Sequence, residues 1–133
     1  MNSLSKMDLE NLQADLGSLI TSAFVGVLVG YGSMILHFSN GSSLLMQCPF
    51  EANEGSVSRA GHGEHADTSL ALFQFLNADI VDVTVDGVGQ IDFDFGAGRS
   101  LRIIPDNSGF ESYVLQTSKG TFPVIGANPS STK

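Results

Sequence analysis

The residue types that could bind a metal ion are concentrated in one short stretch, residues 61–67, which contains His62, His65 and Asp67. Imidazole nitrogens and carboxylate oxygens are common protein ligands of zinc and related divalent ions. Gly61 and Gly63 interrupt the same stretch, which is typical of a loop rather than of a rigid element. We therefore expect a solvated loop without metal or cofactor, and keep a small ligand- or metal-binding module as the alternative.

A second group of residues that could take part in chemistry is a series of aspartates in the second half of the chain: Asp79, Asp82, Asp86, Asp92 and Asp94. Paired carboxylates can do acid–base work when burial raises the pKa of one of them. The alternation of residues 90–95 instead places Asp92 and Asp94 on the solvent face, where carboxylates would attract a basic partner. The residues expected to contact such a partner are Asp82, Asp86, Asp92, Asp94 and Glu111.

Motifs of nucleophilic and phosphate-transfer chemistry are weak. Gly87-x-Gly89 and Gly96-x-Gly98 resemble parts of phosphate loops, but neither opens a helix and no Lys-Ser or Lys-Thr follows. The sequence has no Gly-x-Ser-x-Gly elbow. Cys48 lies in the apolar run 44–50, which predicts a buried side chain rather than a reactive thiol. We therefore expect a protein that is not an enzyme.

The charge and composition limit the partners that the protein is expected to bind and the compartment in which it is expected to act. The 133 residues carry a formal net charge of −8, and the six basic residues are scattered, so nucleic-acid binding is not expected. The apolar run 19–35 contains three glycines and two serines, which favours a buried strand over a membrane span. A single cysteine permits no internal disulfide. We expect one domain over residues 1–133, cytoplasmic and monomeric or homodimeric, without membrane contact.

An internal repeat organises the elements that would position these residues. Residues 30–46 align with residues 87–103, and the identical pairs fall on turn glycines and on one face of a strand. Asn40-Gly41 is typical of a hairpin turn. The repeat predicts one three-strand meander over residues 24–50 and a second within residues 80–125, where further strands close the fold.

The remaining segments give an α+β fold that is mainly antiparallel β. Residues 4–16 predict an amphipathic helix with Ser5 as its N-cap. Residues 51–67 are polar and rich in glycine and predict a loop. Residues 68–77 predict a short helix capped by Asp67 or Thr68, with an inward face formed by Leu72, Phe73 and Leu76. Residues 127–133 predict a disordered tail.

The second half also carries a recognisable set of motifs. Phe95-x-x-Gly98-x-x-Leu101 is followed by Pro105-Asp106 and then by Phe110-Glu111-Ser112-Tyr113. This pattern resembles the DUF6188-like small bacterial proteins of uncharacterised function, over about residues 24–125. Similar domains are associated with toxin–immunity systems, including contact-dependent growth inhibition. The resemblance implies an immunity protein that binds and neutralises a cognate toxin, and a self-assembling interaction domain is a further alternative.

Overall fold

Antiparallel strands form most of the structure, a computed structural model that describes residues 4–106 and 111–125. An α-helix, α1 (Lys6–Gly17), comes first, and a 3₁₀ helix (Ala66–Phe75) lies near the middle of the chain. The strands are β1 (Ala23–Gly30), β2 (Ser33–Phe38), β3 (Ser43–Met46), β4 (Pro49–Glu54), β5 (Val57–His62), β6 (Ala78–Asp79), β7 (Asp82–Val85), β8 (Ile91–Gly96), β9 (Arg99–Ile103), β10 (Glu111–Thr117) and β11 (Gly120–Ile125). The α+β, mainly antiparallel prediction is therefore confirmed.

Helix α1 begins two residues later than the predicted range 4–16, directly after the predicted N-cap Ser5. The Ser5 hydroxyl accepts a hydrogen bond from the backbone N–H of Asp8 at 3.0 Å, which caps the helix. Leu12 and Leu16 are fully buried on its inner face. Gln13 binds the edge of β7, because its side-chain amide donates to the Val83 carbonyl and accepts from the backbone N–H of Val85. The helix is thus fixed to one sheet by packing and by two hydrogen bonds.

The strands form two sheets, and each sheet contains one of the meanders that the repeat predicts. The first sheet has the order β11-β10-β3-β2-β1-β6. The second sheet has the order β5-β4-β9-β8-β7. Their inward side chains form one buried cluster, in which the rings of Phe38 and Phe93 stack across the two sheets with centroids 5.7 Å apart.

The hairpin that follows each meander crosses to the sheet of the other meander. Strand β4 of the β4–β5 hairpin pairs with β9, and β10 of the β10–β11 hairpin pairs with β3. The registers of the two crossings match: Phe50 pairs with Ile103 just as Tyr113 pairs with Met46. The partners across each hairpin match as well, since Phe50 pairs with Gly61 and Tyr113 with Val124. The duplicated unit therefore comprises five strands.

The prediction of a loop over residues 51–67 is wrong, because most of this stretch forms β4 and β5. Phe50 and Ala52 point into the core and alternate with half-buried Glu51 and Asn53. Gly55 makes the turn between the strands with φ of +58°, a conformation that favours glycine. Strand β5 is exposed over most of its length, so its sequence lacks the apolar alternation by which strands are recognised.

The short helix is present, but its bounds and inward face differ from the prediction over residues 68–77. It is a 3₁₀ helix, which has three residues per turn, so Ser69, Leu72 and Phe75 share the buried side. The α-helical period used for the prediction placed Phe73 and Leu76 inside, whereas they are 45% and 41% exposed. The N-cap residue is not Asp67 or Thr68 but His65, and its side chain makes no capping hydrogen bond.

The predicted tail over residues 127–133 lies outside the described residues. Within residues 4–106 and 111–125, no helix has the length and apolar character needed to cross a membrane.

Candidate protein-binding site

The outer face of the second sheet presents polar side chains on four of its five strands, β4 and β7–β9. Inward residues such as Val83 and Phe93 are buried, so their neighbours point to solvent. The side chains of this outer face, called the acidic face below, are Glu51, Asn53, Asp82, Thr84, Asp92, Asp94, Ser100 and Arg102. These eight side chains include four carboxylates and one guanidinium group, so together they carry a net negative charge.

Asp82 and Asp94 lie directly opposite each other on β7 and β8. Each carboxylate uses Oδ1 to accept a local backbone hydrogen bond, from Val83 at 2.9 Å and from Gly96 at 2.8 Å. Within residues 4–106 and 111–125, neither carboxylate has a cation within salt-bridge distance. Like charges in directly opposed positions destabilise a sheet, so this pair costs the fold free energy.

Asp92 has a different environment, because it lies opposite Arg102. The Arg102 Nε donates to Asp92 Oδ1 at 2.8 Å, and its Nη1 lies 3.7 Å from Glu51 Oε1. The hydrogen bond to Asp92 is the main reason that the pKa of Arg102 is raised. A row of alternating charges thus crosses β8, β9 and β4, and it fixes these side chains beside the unpaired aspartates.

A shallow cavity of about 450 Å³ opens on the acidic face. Asp82, Asp92 and Asp94 line it together with Arg99 and Arg102. The Arg99 guanidinium is held at one side, since Nη1 donates to the carbonyl of Gln74 at 2.8 Å. Clefts of this volume accommodate small ligands or side chains of a protein partner.

The other two sequence candidates are placed elsewhere. Asp86 lies in the β7–β8 turn, where its Oδ1 accepts from the backbone N–H groups of Val88 and Gln90 at 3.1 and 2.9 Å. Its carboxylate therefore holds the turn. Glu111 is exposed at the start of β10 in the first sheet, opposite Ile125, and does not belong to the acidic face.

The histidines of the possible metal motif lie side by side, with ring centroids 4.8 Å apart. The Nδ1 of His62 accepts from the backbone N–H of Glu64 at 3.1 Å, and its Nε2 lies 3.8 Å from Asp106 Oδ2. Asp67 is in the first turn of the 3₁₀ helix and is exposed. Among the described residues no three His, Cys, Asp or Glu side chains are grouped so that they could hold a metal ion.

Arg102 is a member of the site that the sequence did not single out. Arg102 alternates outward between Leu101 and Ile103, and this pattern is visible in the sequence. Glu51 reaches the site only because the β4–β5 hairpin crosses to the second sheet.

Comparison of the chain with protein-family models, curated proteins and solved structures finds no match.

Proposed function

We propose that this chain is a non-enzymatic binding protein that docks a basic protein partner on its acidic face. The observation that supports the proposal is the pair Asp82 and Asp94, two directly opposed carboxylates without a cation among the described residues. Their repulsion lowers the stability of the free protein, and a partner's lysine or arginine placed between them would relieve it.

The surroundings of the pair favour a protein surface as the partner. The net charge of −8 attracts basic proteins from a distance and raises their rate of association. The row Asp92–Arg102–Glu51 holds its charges in place, so little side-chain freedom is lost when a partner binds. Arg99 and Arg102 at the cavity can donate hydrogen bonds to a partner's carbonyl or carboxylate oxygens, which would orient the partner.

In line with the resemblance to immunity domains, we propose that the partner is a basic toxin domain that this protein neutralises in bacteria. If this toxin is a nuclease, its active site binds phosphates, and carboxylates that cover such a basic site block it by charge. The aspartates of the acidic face would then occupy the place of the substrate's phosphates.

The electrostatic part is tested with a defined cationic probe, a nine-residue arginine peptide, titrated into the ¹⁵N-labelled full chain at low salt. We expect shifts concentrated on β7–β9 and an affinity that falls at least about tenfold in the Asp82→Asn/Asp94→Asn variant, since two charge-assisted contacts are lost. The matched control, Glu10→Gln/Asp67→Asn, removes the same charge from exposed positions outside the acidic face. Equal losses in both variants would contradict the proposal, because they would reflect net charge only.

The immunity part is tested by co-expressing the full chain with the product of the adjacent reading frame and measuring growth. We expect the wild type and the Glu10→Gln/Asp67→Asn variant to protect the cells, and the Asp82→Asn/Asp94→Asn variant to protect them less. A neighbouring product that is harmless on its own, or protection that the acidic-face variant retains in full, would contradict this part.

A further inference from the structure

Three of the four sheet edges carry features that hinder pairing with another strand. The side chain of Gln13 forms two hydrogen bonds with the backbone of β7. Strand β11 contains Pro123, which has no N–H to donate. Strand β5 carries the charged, exposed Arg59. Such features are the usual protection of edge strands against unwanted pairing.

The fourth edge is formed by the two-residue strand β6 and, beyond it, by β1, and its protection is incomplete. Strand β6 pairs only with Ala23 and Phe24, and a bulge follows between Phe24 and Gly26. Over residues 26–30, β2 is the sole sheet partner of β1 within the described chain. This segment has no charge and no proline, and Leu28 and Val29 are 58% and 38% exposed. Alternate residues of such a strand direct their N–H and C=O groups away from the sheet.

The free segment has a sequence that reads the same in both directions, Gly26-Val27-Leu28-Val29-Gly30. Antiparallel pairing with an identical strand places each residue opposite its own type when the two-fold axis passes through Leu28. Val27 then faces Val29 of the second copy on the inner side, and such β-branched pairs stabilise antiparallel sheets. The two Leu28 side chains meet on the outer side with glycines on either side of them.

We propose that two copies of this chain associate through β1, in antiparallel register about a two-fold axis at Leu28, so that their first sheets become one continuous sheet. A two-fold contact is satisfied by the same surface on both copies, which an antiparallel strand pair provides. Strand β6 pairs with β1 only as far as Phe24. The rest of the β1 edge, as far as Gly30, is therefore available to the strand of the second copy.

The distribution of charge also favours a second copy as the occupant. The outer face of the first sheet has an apolar row, formed by Leu28, Ile35, Leu45, Val114 and Pro123. The acidic face belongs to the other sheet, so the two copies would meet through neutral surface despite a net charge of −8 on each. Both acidic faces would remain open to a partner. The dimer is thus independent of the proposed binding function, and either can fail alone.

The experiment is sedimentation of the full chain from about 1 to about 200 μM in moderate salt, for the wild type and two single variants. Leu28→Lys places like charges at the two-fold axis and should raise the dimer dissociation constant at least about tenfold. Val57→Lys is the matched control, because Val57 is an equally exposed apolar residue (53%) on the edge strand of the other sheet. Circular dichroism checks that both variants are folded. A wild type that stays monomeric overturns the proposal, and so does a Leu28→Lys variant that dimerises like the control.

A crosslink tests the register. Leu28→Cys places two thiols opposite each other at the axis, within the Cα–Cα range of a disulfide. Tyr31→Cys places its thiols six residues apart along the paired strands, about 20 Å, although Tyr31 is fully exposed. The native Cys48 is buried and does not compete. We expect mild oxidation to give a covalent dimer with Leu28→Cys and little with Tyr31→Cys. Equal yields would overturn the proposed axis.

Discussion

Removing one charge from the opposed aspartates should stabilise the free protein. Asp94→Asn keeps an oxygen in the place of Oδ1, so the hydrogen bond from Gly96 at 2.8 Å can remain. Directly opposed side chains in an antiparallel sheet have Cβ atoms about 5 Å apart, and two unit charges at that distance repel by about 0.8 kcal/mol in water. Asp82 and Asp94 are both exposed, so the aqueous value applies. Salt screening reduces it, so the expected gain is about 0.5 kcal/mol.

The assay is urea unfolding at low ionic strength, repeated at about 1 M NaCl, where the Debye length is about 3 Å and the gain should nearly vanish. Asp82→Asn should give a similar gain, since it removes the same repulsion. The double variant should be little more stable than either single variant, because the repulsion can be removed only once. Glu10→Gln is the control for a change of one unit in net charge on an exposed side chain.

Two results would refute this reasoning. If Asp94→Asn lowered stability, the carboxylate would have a favourable role in the free protein, and the pair would not be a cost that a partner relieves. If the gains from the two single variants added fully, the two charges would act independently of each other. In either case, the opposed pair would lose its place as the main support for the binding site.

Other predictions concern the core. Tyr113→Phe removes the hydroxyl that donates to the buried Gly89 carbonyl at 2.7 Å, and it should lower the free energy of unfolding by about 1–3 kcal/mol in urea titrations. Gly63→Ala places a methyl group against the backbone of β3 and should destabilise the fold by at least about 1 kcal/mol, whereas Gly17→Ala, with open space around it, should stabilise α1 by up to about 1 kcal/mol. Burial raises the pKa of the Cys48 thiol to about 12, so a thiol reagent at pH 8 should react only after unfolding. Because the unfolded thiol ionises near 9.0, stability should fall as pH rises from about 9 to about 12, and less steeply in Cys48→Ala; identical pH profiles would contradict the assigned cause.

The parts of the fold that the sequence predicted are those determined by local chemistry. The turn at Asn40-Gly41 forms because Gly41 adopts φ of +91° and the Asn40 side chain accepts from the backbone N–H of Ser42. Strand β8 alternates apolar and acidic residues, so its buried face could be identified from the period of two. Asp92 and Asp94 of β8 were placed on the solvent face in the same way.

The parts that escaped prediction depend on partners distant in sequence. Strand β5 is recognisable only through its pairing with β4, since most of its residues are exposed. The ion pair of Asp92 with Arg102 and Glu51 requires the register of β9 against both β8 and β4. The sequence did not indicate that this helix is a 3₁₀ helix with three residues per turn. The prediction therefore placed Phe73 on the buried side, where the structure has Phe75.

The crossing of the two hairpins explains why the halves of the chain could diverge on the outside while their interiors stayed alike. Because β4 completes the second sheet and β10 completes the first, each sheet is built from both halves, and neither half has a complete sheet of its own. The inward positions Phe50 and Tyr113 are equivalent, and both are buried in the common core, so packing restricts them. The outward positions face solvent and are free of that restriction. The second sheet accordingly presents the opposed pair Asp82–Asp94, and the first presents a neutral row and the free edge at Leu28. A duplicated core thus supports an acidic face on one sheet and a free strand edge on the other.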